Sequence, residues 1–163
     1  MKNRYLTLLL LTLSFTLWSQ DNLQVGDKVT NLTFYTIDGD SISIESLQGK
    51  VVYINFFATW CAPCMKELAF MEDDILDKFK NKKFYFIALG RGHTAEQLQT
   101  FKSKKGFNFN MACDTDKSLF LRFSEKGIPL NIIIDKDGKI IYKKTGYSST
   151  SFKKIKRTIK HNL

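Results

Sequence analysis

The sequence predicts an α/β fold in which helices flank a central mixed β-sheet, with a β-hairpin added at the N-terminal side. Strand-like and helix-like segments alternate through the middle of the chain, which is typical of strand-helix-strand units. A hairpin pattern follows them, and an antiparallel pair beside parallel strands makes the sheet mixed. The chain has 163 residues, of which 44% are hydrophobic, enough for one domain with its own core.

The first twenty residues have the profile of a secretory signal. Lys2 and Arg4 precede an apolar run of 14 residues, and Ser19 is a small residue at which cleavage can occur. Because this run is shorter than the roughly 20 residues that span a bilayer, we predict a cleaved signal peptide over 1–19 rather than an anchor. The expected product is an exported, periplasmic or otherwise extracytoplasmic domain of residues 20–163 that is soluble.

Strand signals occur as two hairpins and two buried runs. Residues 32–37 and 41–44 alternate in strand fashion around an Asp-Gly turn, which indicates the first hairpin. The segments 50–57 and 83–89 are nearly continuous apolar and β-branched runs, as expected of strands that are buried on both faces. A second hairpin is predicted where two apolar runs flank the turn at 136–138.

Four helices are predicted. The first spans about 62–80, and the second begins after a cap at Thr94 and continues to about 104. A short third helix is expected over 116–123. The fourth is the tail from Phe152 onward, in which apolar residues recur at helical spacing and the lysines and arginines between them form a solvated basic face.

The chain is distinctly basic. Its formal net charge of +9 falls by 2, to +7, when Lys2 and Arg4 are removed with the signal. Such a charge can indicate nucleic-acid binding, but an exported chain makes that class unfavourable, and we predict no nucleic-acid partner. Acidic partners or anionic surfaces remain compatible with the charge.

A C-x-x-C pair follows directly after a buried strand. Cys61 stands at the start of a helix, where unpaired backbone N–H groups and the positive end of the helix dipole stabilise a thiolate. Cys64 lies one turn further on and is placed to resolve a mixed disulfide. Pro63 fits the first helical turn, where its missing N–H group is not needed. The motif therefore predicts a redox-active dithiol with Cys61 as the nucleophile.

Two segments carry a resemblance to a known family. The stretches NFFATWCAPCMKEL (55–68) and GIPLNIIIDKDGKIIYKKTG (127–146) resemble the thioredoxin superfamily, and specifically the exported TlpA/ResA-like thiol-disulfide oxidoreductases. The likeness covers about 25–161. It implies a thioredoxin-like fold and an enzyme that exchanges disulfides with protein partners.

The resemblance also implies roles for individual residues. Cys61 and Cys64 form the redox-active disulfide, and Pro129 is a cis proline packed beside them. The backbone of Ile128 pairs with the substrate chain, and Trp60 lies on the rim of the site. By the same resemblance the protein is a reductant of oxidised protein thiols, with apocytochrome c as one substrate class and a membrane thiol carrier as electron donor. We expect the protein to be a monomer. This exchange needs no metal or cofactor, and none is predicted.

Four residues depart from the family pattern or extend it. Asn55 stands where thioredoxin itself has a buried acid, six residues before the first cysteine. His93 aligns with a glutamate that some ResA-like proteins carry after the next strand, so it is a candidate for proton transfer with Cys64, the alternative being a surface histidine without a role. Glu67 fits the family's C-x-x-C-x-K-E pattern and is expected on the solvated helix surface, with a catalytic role as the alternative. Cys113 is expected to be a small buried residue, with a third redox thiol as the alternative.

Three other functions each explain part of the sequence. A zinc site built from Cys61, Cys64, Cys113 and His93 would lack the second close cysteine pair that zinc ribbons use. A peroxiredoxin-type peroxidase shares the fold, but such enzymes usually have a threonine where this chain has Ala58. A binding module with a purely structural bridge is the non-enzymatic alternative, although so short a loop gains little stability from a disulfide.

Overall fold

Seven strands form one mixed sheet in the computed structural model, which describes residues 22–80 and 83–163. The strands are β1 (Thr33–Thr36), β2 (Ser41–Ser43), β3 (Val51–Phe57), β4 (Phe84–Arg91), β5 (Met111–Asp114), β6 (Leu130–Ile134) and β7 (Ile140–Thr145). Their order across the sheet is β2-β1-β5-β4-β3-β6-β7. Strand β4 is parallel to β3 and β5, and the other pairs are antiparallel. Both predicted hairpins and the mixed sheet are confirmed, whereas the predicted signal segment 1–19 lies outside the described residues.

Helices cover both faces of this sheet. They are α1 (Ala62–Leu68), α2 (Ala95–Lys105), α3 (Ser118–Leu121) and α4 (Ser149–Asn162), with a 3₁₀ turn at Glu45–Leu47 and a π-helical segment at Glu72–Leu76. Within the described part of the chain, no helix has both the length and the apolar character needed to cross a membrane.

Strand β3 is the centre of the core. All seven of its residues are buried, as its unbroken apolar sequence predicts for a strand covered on both faces. On one face Tyr53 and Phe57 join the core cluster that includes side chains of α1, α2 and α4. On the other, Phe56 packs against Phe120 and Phe123 from the region of α3. The end of β3 therefore leads into α1 from a rigid, fully packed position.

The cap predicted from sequence at Thr94 begins α2. Thr94 and Gln97 form a reciprocal capping box, and Gly106 ends the helix in the left-handed conformation at a φ of 70°. The C-terminal helix is also confirmed: a Ser148 cap begins α4, and the helix buries its apolar face, namely Phe152, Ile155 and Ile159.

The prediction of one continuous helix over 62–80 is wrong. Helix α1 ends at Leu68, and the π-helical segment follows, closed by the N–H of Asp77 donating to the carbonyl oxygen of Glu72 at 2.8 Å. Leu68, Met71 and Ile75 of the apolar repeat are buried nonetheless. Apolar spacings of three and four residues are satisfied by either geometry, so the pattern did not reveal the change.

The region around β5 also differs from the prediction. The four-residue strand β5 was not predicted, and the helix expected over 116–123 shrinks to α3. The reason is local capping. The carboxylate of Asp114 accepts from the N–H groups of Leu119 and Phe120 at 3.0 Å each, and Lys117 takes a left-handed φ of 65° just before the helix.

A methyl group at position 90 is expected to destabilise this fold. A Cβ atom on Gly90 would lie 2.6 Å from both terminal carbons of the buried Leu98. Gly90→Ala should lower the free energy of unfolding, measured by chemical denaturation, by about 1–3 kcal/mol. In a Leu98→Ala background the space is open, so the same change should cost less. An equal loss in both backgrounds would contradict this packing account.

Candidate active site

The dithiol lies where β3 passes into α1. Cys61 is the N-cap of α1, and its Sγ accepts a hydrogen bond from the N–H of Cys64 at 3.2 Å. The two sulfur atoms form a disulfide with an S–S distance of 2.05 Å. Cys61 is 5% exposed and Cys64 is fully buried. Cys61 thus keeps a small exposed fraction and Cys64 has none, which is the asymmetry that an attacking and a resolving thiol require.

Exposed residues flank Cys61 in the chain. Trp60 is 73% exposed, and Ala62 and Pro63 are exposed as well. A large aromatic side chain held in solvent next to a reactive sulfur offers apolar contact area to an incoming chain. The structure thus places Trp60 on the rim, at the position that the resemblance implies.

A second loop reaches the same end of the sheet. The peptide bond between Ile128 and Pro129 is cis, as the resemblance implies. Leu130 pairs with Phe56 in the antiparallel register, so Pro129 lies level with the end of β3. Ile128 is half-buried and packs against the core cluster that contains both cysteines. The carbonyl oxygen of Pro129 accepts from the N–H of Gly146 at 2.7 Å, which fixes this loop to the end of β7.

His93 contacts the active-site loop. Its Nε2 atom accepts a hydrogen bond from the N–H of Thr59 at 3.2 Å, two residues before Cys61. His93 is buried, and its backbone carbonyl oxygen accepts a hydrogen bond from the hydroxyl group of Thr115 at 3.0 Å. The alternative of a surface histidine is therefore wrong. Because Nε2 is an acceptor here, the ring proton of the neutral imidazole is on Nδ1.

Glu67 is buried, and its expected place on the solvated helix surface is wrong. It follows Cys64 by three residues, so both side chains lie on the face of α1 that packs against the sheet. The Oε2 atom accepts from Nδ2 of Asn55 at 3.0 Å, and Oε1 accepts from Nδ2 of Asn131 at 2.9 Å. Asn55 is not an acid, so the carboxyl group of Glu67, hydrogen-bonded to it, supplies the buried acid that this position lacks.

Two further residues complete this polar cluster. Asn131 pairs directly with Asn55 across β3 and β6, and its Oδ1 accepts from Nδ2 of Asn55 and from the hydroxyl group of Tyr53, each at 2.7 Å. Sequence analysis missed both Asn131 and Tyr53. An asparagine inside the apolar run LNIII was the available signal, because a polar side chain in a buried strand requires hydrogen-bond partners.

Burial sets the acidity of this cluster. It raises the pKa of Glu67 from 4.5 to about 7, although the amide hydrogen bonds from Asn55 and Asn131 act in the opposite direction. Burial and the neighbouring Glu67 also raise the pKa of Tyr53 well above 10, so that phenol stays protonated. A carboxyl group with a pKa near neutrality, one helical turn from a buried thiol, is suited to accept that thiol's proton.

Cys113 lies apart from this centre. It is in β5, separated from β3 by β4, and its thiol contacts the carbonyl oxygen of Tyr35 at 3.6 Å. The side chain is half-buried rather than buried as expected. The structure brings Cys61, Cys64, His93, Trp60, Ile128 and Pro129 to one end of the sheet. Cys113 is level with the end of β3 but lies two strands, about 10 Å, to the side.

Comparisons of sequence agree with this geometry. The Redoxin family description matches residues 24–159. The chain is similar to the thiol-disulfide oxidoreductase ResA of Bacillus thuringiensis (strain Al Hakam), with 32% identity over 151 residues that cover 86% of this chain and 87% of the relative. It is also similar to ResA of Bacillus subtilis (strain 168), with 26% identity and coverage of 90% and 84%.

Solved structures share the architecture. The solution structure of a candidate protein disulfide isomerase from Bacteroides thetaiotaomicron superposes with a TM-score of 0.81 at 30% identity, covering 86% of this chain and 91% of that one. A thiol:disulfide interchange protein of the thioredoxin family from Chlorobium tepidum TLS gives a TM-score of 0.70 at 23% identity, with coverage of 84% and 96%. The predicted thioredoxin-like fold is confirmed.

The raised pKa of Glu67 predicts a specific pH dependence of stability. The folded protein holds this proton up to about pH 7, whereas the unfolded chain releases it near 4.5. Stability is therefore fully retained below about 4.5 and is lost as the pH rises through 7, by about 3 kcal/mol in total. Denaturation of the disulfide form across this range should show the loss in the wild type. The loss should be absent in Glu67→Gln, and parallel curves for the two proteins would contradict the assignment.

Proposed function

We propose, from the premise that this chain belongs to the Redoxin family and is a thiol-disulfide oxidoreductase, that it works outside the cytoplasm as a reductant of protein disulfides. The single observation that carries the proposal is the disulfide at the N-terminus of α1, in which Cys64 is fully buried while Cys61, at the helix N-cap, keeps an exposed fraction of 5%. A purely structural bridge has no need for this asymmetry.

The N-cap geometry supports Cys61 as the nucleophile. In the reduced protein its sulfur would keep the hydrogen bond from the N–H of Cys64 and the positive end of the helix dipole. Both interactions favour the thiolate over the thiol. The neighbouring Trp60 and the backbone of Ile128 and Pro129 provide the surface against which a partner chain is held.

The reaction then proceeds in two exchanges. The thiolate of Cys61 attacks one sulfur of the partner's disulfide, which breaks that S–S bond, forms a mixed disulfide and releases the partner's other sulfur as a thiolate. Cys64 loses its proton and attacks the sulfur of Cys61, which expels the partner's second thiolate. The partner gains two electrons, and Cys61 and Cys64 are left in the disulfide that the structure shows.

The proton of Cys64 goes to Glu67 in this proposal. Glu67 lies one turn along α1 and, with a pKa of about 7, is partly ionised at neutral pH. The hydrogen bonds from Asn55 and Asn131 hold its two oxygen atoms in place. His93 already accepts from Thr59 through Nε2, so its suggested direct proton transfer stays a prediction, and its contact supports a positioning role for the active-site loop.

Export and the partners belong to the same proposal. The apolar N-terminal run supports a signal peptide over 1–19, which leaves a domain of residues 20–163 outside the cytoplasm. In this proposal the domain acts as a monomer. Disulfides persist in such compartments, so a reductant there needs electrons from a membrane thiol carrier. Protein thiols are the substrate class, and the cysteines of apocytochrome c are one proposed member of it.

Substitution of each cysteine tests this function. Cys64→Ser should accumulate covalent complexes with partner proteins, visible as bands that disappear on reduction, because no thiol remains to resolve them. Cys61→Ser should abolish insulin reduction and trap nothing, and Cys113→Ser is the control that should behave as wild type. Trapping by Cys61→Ser but not by Cys64→Ser would reverse the roles. Rapid peroxide turnover without a disulfide substrate would instead indicate a peroxidase.

Replacement of Glu67 tests the proton acceptor. In the wild type, the rate at which the mixed disulfide is resolved should rise with pH around 7, as Glu67 becomes ionised. Glu67→Gln should slow this step on the order of 100-fold at neutral pH and remove that inflection. Glu96→Gln, the same chemical change at an exposed position, is the matched control. An unchanged pH profile in Glu67→Gln would exclude the assignment.

A further inference from the structure

The positive charge of this chain is concentrated at its C-terminal end. From Ile140 to Leu163 there are seven lysines and arginines and no aspartate or glutamate, whereas residues 1–139 hold 18 basic and 16 acidic residues. The last 24 residues thus contribute 7 of the net charge of +9. This segment is β7, an edge strand, and α4, which packs beside it.

Most of these charges form one exposed patch, which we call the basic surface. It consists of Lys144, Lys153, Lys154, Arg157 and Lys160, all of them exposed. A groove of about 620 Å³ runs through it, lined by Lys153, Lys154 and Arg157 together with Ile141 of β7. The other two cations of the segment are not counted in the basic surface, since each has an acidic neighbour. Lys156 pairs with Asp74 at 2.9 Å, and Lys143 lies near Asp27.

The N-terminal end of the described chain lies against the same edge. The Nζ atom of Lys143 donates to the carbonyl oxygen of Leu23 at 2.8 Å, and the N–H of Gly26 donates to the carbonyl oxygen of Ile140 at 2.8 Å. Val25 is 60% exposed and lines the adjoining groove with Lys144 and Lys154. The exposed apolar side chain of Val25 thus lies among the cations of the basic surface.

The apolar N-terminal run joins the fold at this place. It ends at Trp18, four positions before Asn22, so at most about 14 Å of extended chain separates it from the edge of β7. The surface of exposed cations therefore lies at the edge where the described chain begins, close in sequence to the apolar run. Anionic lipid headgroups are the partner that both features fit.

We propose that the basic surface binds the anionic phospholipid headgroups of a membrane and holds the domain there, whether or not the signal has been removed. Strand β7 lies two strands from β3, a lateral distance of about 10 Å. The dithiol at the end of β3 is therefore to the side of the membrane contact and is not covered by it. Trp60 and Cys61 stay open to partners. A reductant that receives electrons from the membrane gains proximity to its donor in this way.

The test is cosedimentation of the chain from residue 20 onward, which keeps every described contact, with lipid vesicles. We expect binding to phosphatidylglycerol–phosphatidylcholine vesicles, little binding to phosphatidylcholine alone, and release by high salt, because screening weakens contacts between exposed charges. The triple variant Lys153→Gln, Lys154→Gln, Arg157→Gln should bind on the order of 100-fold more weakly. A matched triple, Lys102→Gln, Lys104→Gln, Lys105→Gln, removes the same charge from the end of α2 and should retain binding.

Two outcomes would overturn the proposal. One is binding by the wild type that does not depend on phosphatidylglycerol, or no binding at all. The other is an equal loss in both triple variants, which would indicate a response to net charge alone. Insulin reduction in solution, measured on the same variants, should not change. This readout separates the two proposals, since a protein without reductase activity could still bind the vesicles.

Discussion

The hydrogen bonds from Asn55 and Asn131 to the buried carboxyl group of Glu67 are the interaction on which the site depends. They join α1 to the neighbouring strands β3 and β6, one helical turn beyond Cys64. A buried carboxylate without such partners would be strongly unfavourable, and a carboxyl group in water would titrate well below neutrality. Held in this way, Glu67 stays inside the protein with a pKa of about 7.

The same cluster explains the departure at Asn55. An asparagine at this position cannot take up a proton, but it can donate a hydrogen bond to a carboxyl group that comes from the helix instead. The acid has in effect moved from the strand to α1, one turn beyond Cys64. Asn131 matches Asn55 across the antiparallel pair, and Tyr53 satisfies the oxygen of Asn131 in turn. Tyr53, Asn55, Glu67 and Asn131 thus form one connected hydrogen-bonded unit in the core.

Local patterns were sufficient to predict much of the fold. The Asp-Gly turn, the continuous apolar sequence of β3 and the Thr94 cap of α2 each act over a few neighbouring positions, and their predictions are confirmed. The placement of Cys61 at the start of a helix follows from the same kind of signal. The break after α1 could not be predicted, because the buried positions repeat equally well in α-helical and π-helical geometry.

The burial of Glu67 depends instead on long-range register. Only the pairing of β3 with β6, which are more than 70 positions apart, brings Asn131 beside Asn55 and gives a charged helix residue its partners. Charged residues on a helix are more often solvated, so the sequence pattern wrongly placed Glu67 on the exposed surface of the helix. The most direct test is to follow the carboxyl carbon of Glu67 by NMR during a pH titration of the oxidised protein. A midpoint near 7 agrees with a buried, hydrogen-bonded acid, whereas a midpoint near 4.5 would contradict the account.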